Sequence, residues 1–206
     1  AKHYAVHSGP EDERHSFNAV VTEKDLRETY LPAFRAAVTE AKVEGVMGAY
    51  NRTNDEPCCG SKRLLVDILR GEWEFDGYVT SDCWAIKDFH MHHHVTSTAP
   101  ESVSLAVSNG CDLNCGNMYG NLLIAVAEGL IEEAFITESC TRLMTTRMRL
   151  GMFDPPEEVK YTAIPYELND CGSHRDVALE AARRSLVLLK NDGTLPLAPS
   201  SVKTIA

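Results

Sequence analysis

The chain has 206 residues, a formal net charge of -10, and 44% hydrophobic against 24% charged residues, the balance of a globular protein with a buried core and not of a disordered one. The negative charge and the lack of basic patches argue against a nucleic acid or an anionic membrane as partner and favour a neutral ligand. No apolar run approaches the roughly 20 residues that span a bilayer and no basic-then-apolar leader pattern opens the chain, so a soluble protein is expected, its compartment left open.

In chain order, Ala1-Lys-His-Tyr4 reads as the end of a strand. Residues 22–43 open on Thr-Glu-Lys-Asp and set Leu26, Tyr30, Phe34, Ala37, Val38 and Ala41 on one face, which predicts an amphipathic helix with a kink at Pro32. Gly45-Val-Met-Gly-Ala-Tyr50 is apolar and runs into the polar stretch 51–57, the pattern of a buried strand whose end opens into a functional loop. A helix capped by Ser61 follows, with Leu64, Leu65, Ile68 and Leu69 facing inward. Tyr78-Val-Thr-Ser-Asp82 is strand-like, residues 100–108 helix-like, and Cys111-Asp-Leu-Asn114 a further short strand. Helices are expected over 118–128, ended by Gly129, and from a Thr137 cap to Gly151. This alternation implies parallel strands with helical crossovers, an arrangement that gathers active residues where strands end.

The texture changes after Phe153-Asp-Pro-Pro156. Residues 155–172 read as a linker, and residues 173–206, helical at first, as the start of a second domain that is cut off. The seven cysteines, Cys58, Cys59, Cys83, Cys111, Cys115, Cys140 and Cys171, are odd in number and lack CxxC spacing; buried free thiols are expected in preference to a disulfide framework.

Asp82 carries a carboxylate to a strand end, where a retaining glycosidase would hold its nucleophile, although an Asp there is more often a helix cap or turn former. Lys2, His3 and Arg14, with Glu11 and His15 nearby, put donors for sugar hydroxyls on another strand-end loop, or else form a solvated charged loop. His90-Met-His-His-His94 has the residue type for a transition metal but no Cys or carboxylate partner at metal spacing, so an exposed loop is expected and no metal.

Several segments together resemble glycoside hydrolase family 3 along nearly the whole chain. Lys2-His3-Tyr4 resembles its Lys-His-aromatic motif, and Val46-Met-Gly-Ala-Tyr-Asn51 with Asn54 and Pro57 its Met-x-x-Tyr-Asn loop. Gly71-Glu-Trp-Glu-Phe-Asp-Gly-Tyr-Val-Thr-Ser-Asp82 is similar to the block ending in the nucleophile, and Gly110-Cys-Asp-Leu-Asn-Cys-Gly116 to the next strand of the xylosidase-like branch. Ala178-Leu-Glu-Ala-Ala-Arg-Arg-Ser-Leu-Val-Leu-Leu-Lys-Asn191 with Leu195-Pro-Leu197 resembles the entry into the second domain. The resemblance implies an α/β protein: the C-terminal half of a TIM-like (β/α) barrel over residues 1–154, then the linker, then the start of an α/β sandwich.

It also implies roles: Asp82 as nucleophile, Lys2, His3 and Arg14 as hydroxyl binders, Met47 and Tyr50 lining the same subsite, and no cofactor. The expected activity is that of a retaining exo-acting β-glycosidase on small carbohydrates, β-xylosidase-like, with β-glucosidase and a non-catalytic sugar-binding fragment as alternatives. Two departures stand out: Cys83 follows the nucleophile, with Trp84 one later, where glucosidase-like members have Trp directly. The other is that the family's acid/base Glu and early barrel strands lie outside this sequence, so the isolated chain is expected to be inactive, to expose apolar surface and to self-associate.

Overall fold

The computed structural model describes residues 1–204. The chain divides into two units, Ala1–Asp154 and the residues from Pro155 onward.

The strands of the first unit are short: β1 (Asn18–Ala19), β2 (Gly45–Met47), β3 (Arg52–Thr53), β4 (Glu56–Pro57) and β5 (Tyr78–Thr80). β2 pairs with β5 in parallel, Val46 opposite Val79. On the other side of β2, the Met47 amide donates to the Ala1 carbonyl at 2.9 Å and the Tyr4 amide to the Met47 carbonyl at 2.8 Å, so the opening residues do sit in the sheet. Beyond β5, Leu113 bridges Thr80 in parallel, and its carbonyl accepts the Ser81 amide at 2.8 Å. Four parallel segments therefore lie side by side in chain order: residues 1–4, β2, β5 and the stretch around Leu113. Val46 and Val79 point into the core, where Tyr4, Leu65, Ile68, Ile86 and Val103 are wholly buried; each such side chain contributes about 1.5–3 kcal/mol of burial energy. The Tyr4 hydroxyl, too deep for water, donates to the Leu64 carbonyl at 2.9 Å. A small second sheet, β1-β3-β4, folds the loop after β2 back on itself.

The helix expected over residues 22–43 is interrupted. α1 (Glu23–Asp25) starts where Thr22 Oγ1 accepts the Asp25 amide at 3.1 Å; a wide turn, Leu26–Tyr30, follows, and α2 (Pro32–Thr39) begins anew. Pro32 opens α2, where its missing N–H breaks no hydrogen bond. Ser61 caps the wide-turn helix Lys62–Glu72 as expected, accepting the Leu64 amide at 3.0 Å. α3 (Ala85–Met91) has no counterpart in the sequence reading, because its N-cap, Trp84, is left-handed at φ 70 and offers no capping oxygen. α4 (Ala99–Ser108) opens on a full capping box of Thr98 and Glu101. α5 (Leu122–Ala127) ends before Gly129, and α6 (Glu133–Arg149) starts a full turn before Thr137, which lies inside it. No helix among the described residues is long and apolar enough to cross a membrane.

In the second unit, short 3-10 turns occupy much of the stretch between Pro156 and Leu168, and α7 (Gly172–Ser185) follows. The apolar residues after Ser185 adopt no regular element, and Leu186 to Leu189 are exposed.

Candidate active site

The ends of the parallel segments bring together side chains that are far apart in sequence. Asp82 follows β5 and is only 8% exposed. Both its carboxylate oxygens have a donor at hand: the Cys83 amide lies 2.8 Å from Oδ1, and His3 Nε2 stands 3.3 Å from Oδ2. Burial lowers the His3 pKa, with Asp82 opposing the shift; a neutral imidazole facing a carboxylate carries its proton on the facing nitrogen, here Nε2. Tyr50, beyond β2, has its phenol pushed up by burial first and then by the charge and hydrogen bonding of Asp82. It stays protonated beside the Asp82 charge.

Arg14 reaches the same place from the loop after residues 1–4, its guanidinium 5.3 Å from the centre of the Tyr50 ring. Met47 is the last residue of β2 and is half-buried. Lys2 is exposed and makes no direct hydrogen bond or ion pair among the described residues. Two residues that the sequence pattern leaves unmarked belong to the group. The His7 ring lies 5.1 Å from that of His3 and 6.4 Å from that of Tyr50. Its Nδ1 lies 3.2 Å from Asn51 Oδ1. The Asn51 amide nitrogen is spent on the carbonyls of Val6 and Arg52, so His7 donates from Nδ1 and turns Nε2 outward as an acceptor. Asp88, on α3, is the second, its carboxylate 2.7 Å from His15 Nδ1.

The expectation of free thiols holds for buried Cys58, Cys59 and Cys111 and fails for Cys83 and Cys115, which form a disulfide. The pair is 32 residues apart in sequence but follows two neighbouring strands of one sheet, which no CxxC count reveals. It joins the turn that holds Asp82 to the turn after Leu113, and the Trp84 amide adds a bond to the Cys115 carbonyl at 2.8 Å. By loop-closure entropy, Cys83→Ser with Cys115→Ser is expected to cost about 2–4 kcal/mol in urea unfolding; an unchanged midpoint would show that the bond constrains nothing.

The histidine run is the exposed loop expected only in part: His92 and His94 are exposed beyond the end of α3, while His90 and His93 are not. His90 is on α3 with Nδ1 2.9 Å from Ser102 Oγ, His92 faces Asp88 at 3.7 Å, and His93 is buried and stacked on Phe89. The three rings diverge. Among the described residues neither ring nitrogen of His93 makes a hydrogen bond of ordinary length and angle, and burial, then the Arg52 charge, push its pKa down to about 4 against a weaker opposing pull from the His15 backbone. Its neutral form is the folded form: the contribution is complete above the ordinary value near 6.5 and is lost as pH falls toward about 4, at about 1.4 kcal/mol per pH unit and up to about 3 kcal/mol in all. Unfolding free energies measured from pH 7 to 4 should therefore fall less steeply in His93→Leu than in the unsubstituted chain, and parallel slopes would refute the assignment.

Comparison with known proteins gives this geometry its context. A xylan 1,4-beta-xylosidase of Xylanibacter ruminicola is 45% identical over 98% of this chain and 24% of its own length. A beta-xylosidase/alpha-L-arabinofuranosidase of Medicago sativa is 37% identical over 100% of this chain and 27% of its own. The chain thus spans about a quarter of these relatives. A solved exo-beta-xylosidase in complex with a xylobiose aziridine activity-based probe superposes at TM-score 0.88, with 33% identity over 96% of this chain and 26% of that one. A beta-glucosidase from Listeria innocua in complex with glucose superposes at 0.81, with 29% identity over 96% and 27%. Residues 1–146 match the model of the glycosyl hydrolase family 3 N terminal domain, and the chain belongs to that family.

Proposed function

We propose that these residues carry the nucleophile side of a retaining exo-acting β-glycosidase, with Asp82 as nucleophile. The observation that supports this most directly is a buried carboxylate at the end of a parallel strand, bonded on one oxygen by the Cys83 amide and approached on the other by His3. Such a carboxylate has a fixed direction of attack and needs little reorganisation. It attacks the anomeric carbon of a terminal sugar through an oxocarbenium-like transition state as the glycosidic C–O bond breaks and a second carboxyl group protonates the departing oxygen; water, deprotonated by that same group, then displaces the Asp82 carboxylate from the glycosyl-enzyme with net retention. Lys2, His3 and Arg14 bind hydroxyls of that sugar, Met47 and Tyr50 line the subsite, and His7 offers a further acceptor. The second carboxylate that the chemistry requires comes from elsewhere in a family-length protein, since Asp88 is committed to His15 and Glu11 to Arg14.

On this reading residues 1–154 form half of a TIM-like barrel, residues 155–172 a linker and residues 173–206 the start of a sandwich domain. The four parallel segments in chain order, each followed by helix or loop, suit that architecture. The substrate class is a terminal β-xyloside, favoured by the names of the relatives at 45% and 37% identity; the solved β-glucosidase bound to glucose makes a β-glucoside the second reading. A 2-deoxy-2-fluoro-β-xyloside should trap a covalent adduct in a family-length protein containing this chain, on the peptide that holds Asp82. An adduct on another residue, or turnover with no adduct at all, would defeat the assignment.

A further inference from the structure

We propose that Asp88 is a positioning residue that locks one tautomer of His15 and thereby fixes Arg14 over the Tyr50 ring, an inference that rests on the glycosidase reading of Asp82.

Asp88 sits in α3, the helix that leaves the Asp82 turn, and its side chain is only 5% exposed. A carboxylate that deep needs a partner. Its Oδ2 has one in His15 Nδ1 at 2.7 Å, 73 residues away in sequence. The other candidate, His92 Nε2, stands 3.7 Å from Oδ1, beyond hydrogen-bond reach. Across the His15 ring, Nε2 accepts the Arg14 Nε–H at 3.3 Å.

These two contacts are not independent. Guanidinium only donates, so the nitrogen facing Arg14 must present a lone pair, and the single proton of neutral His15 must then be on Nδ1, directed at Asp88. The buried carboxylate selects that tautomer, as a carboxylate behind a functional imidazole does generally. Without it, a proton on Nε2 would set two N–H groups head to head and Arg14 would turn away. Where Arg14 sits matters to the site: it lies over the Tyr50 ring, His15 packs edge-on against the same ring at 4.5 Å, and Glu11 holds Nη1 at 2.5 Å. Tyr50 in turn stands close enough to Asp82 for the carboxylate charge to raise its pKa, after burial. Asp88 touches none of the reacting atoms and acts through His15 alone.

Three measurements test this. In the 206-residue chain, 15N-detected imidazole spectra should show His15 protonated on Nδ1, and Asp88→Leu should admit the Nε2–H form; an Nε2–H tautomer in the unsubstituted chain would overturn the proposal. In a family-length protein containing these residues, Asp88→Leu should lower kcat/KM on an aryl β-xyloside about 10- to 100-fold, chiefly through KM. Combined with Arg14→Met it should cost no more than Arg14→Met alone; additive losses would mean that Asp88 acts through some other route. Should Asp88→Leu fail to fold, His15→Asn keeps a donor toward Asp88 while removing the acceptor for Arg14. It should reproduce the same KM effect with an unchanged melting temperature, and unchanged kinetics there would also refute the relay. Failure of the glycosidase reading shows separately, as absence of fluorosugar label on Asp82 in the unsubstituted protein, a result that leaves the tautomer measurement standing.

Discussion

Asp82→Ala in a family-length protein containing this chain is expected to lower kcat on an aryl β-xyloside by at least about 10⁴-fold, where loss of a catalytic nucleophile in a well-studied protease costs about 10⁶-fold. The cost is large because no neighbour can take over. Asp88 is tied to His15, Glu11 to Arg14, and both lie on other elements than the Asp82 turn. The substitution removes a mostly buried charge without removing a core side chain, so the fold should survive and the loss should lie in chemistry. A second signature follows from mechanism. Once the carboxylate is gone, azide can enter the space it leaves and attack the anomeric carbon from the same face, so added azide should restore turnover and yield an α-glycosyl azide. Restored hydrolysis with a β-configured product would point to a different nucleophile, and a loss below tenfold would remove Asp82 from the mechanism.

The residues of that mechanism differ in how far the sequence discloses them. Asp82 and His3 stand out because each ends a strand-like run, and the ends of neighbouring parallel strands lie together; Tyr50, and the choice of a chemical over a capping role for Asp82, are marked only by the family resemblance. The helix caps at Thr22 and Ser61 are legible from the sequence, since a capping side chain bonds an amide three residues away. Contacts that only the sheet creates are hidden. Cys83 and Cys115 meet because β5 and the Leu113 stretch are neighbours, and His15 meets Asp88 because a loop following the first segment folds over the helix that follows β5. α3 was hidden by its start: a left-handed Trp84 is the reverse of a helix signal, tolerated because Gly116, itself at φ 133, leaves room beside the indole. The histidine run misleads for the converse reason. Composition suggests a metal or an exposed loop, while the end of α3 at Met91 leaves His90 on the helix, paired with Ser102, and turns His93 inward onto Phe89.

Asp112→Ala is expected to destabilise the first unit by about 3–5 kcal/mol, the usual consequence of leaving a buried charge without its partner. The Asp112 side chain is wholly buried. Its Oδ2 accepts from Arg70 and from the Val79 amide, each at 2.8 Å, and its Oδ1 accepts from Arg142 at 2.8 Å. One carboxylate thereby ties the wide-turn helix, β5 and α6 to the last parallel strand. Arg70 also spans the carbonyls of Phe75, Gly77 and Gly110; burial lowers its pKa and Asp112 opposes that shift. With alanine in place, two half-desolvated guanidinium groups face one another and the Val79 amide has no acceptor. Removing Arg142 as well relieves the repulsion, so Asp112→Ala with Arg142→Met should be less destabilised than the sum of the single changes. Urea unfolding of the three variants reads both effects, and a single-variant loss under about 1 kcal/mol would mean that water reaches the carboxylate and the pairing is ordinary surface electrostatics. Val79 lies three residues before Asp82, so the same carboxylate that closes the core also sets the strand from which Asp82 emerges, and on the proposed role of Asp82 partial unfolding at Asp112 should be felt first as loss of fluorosugar labelling.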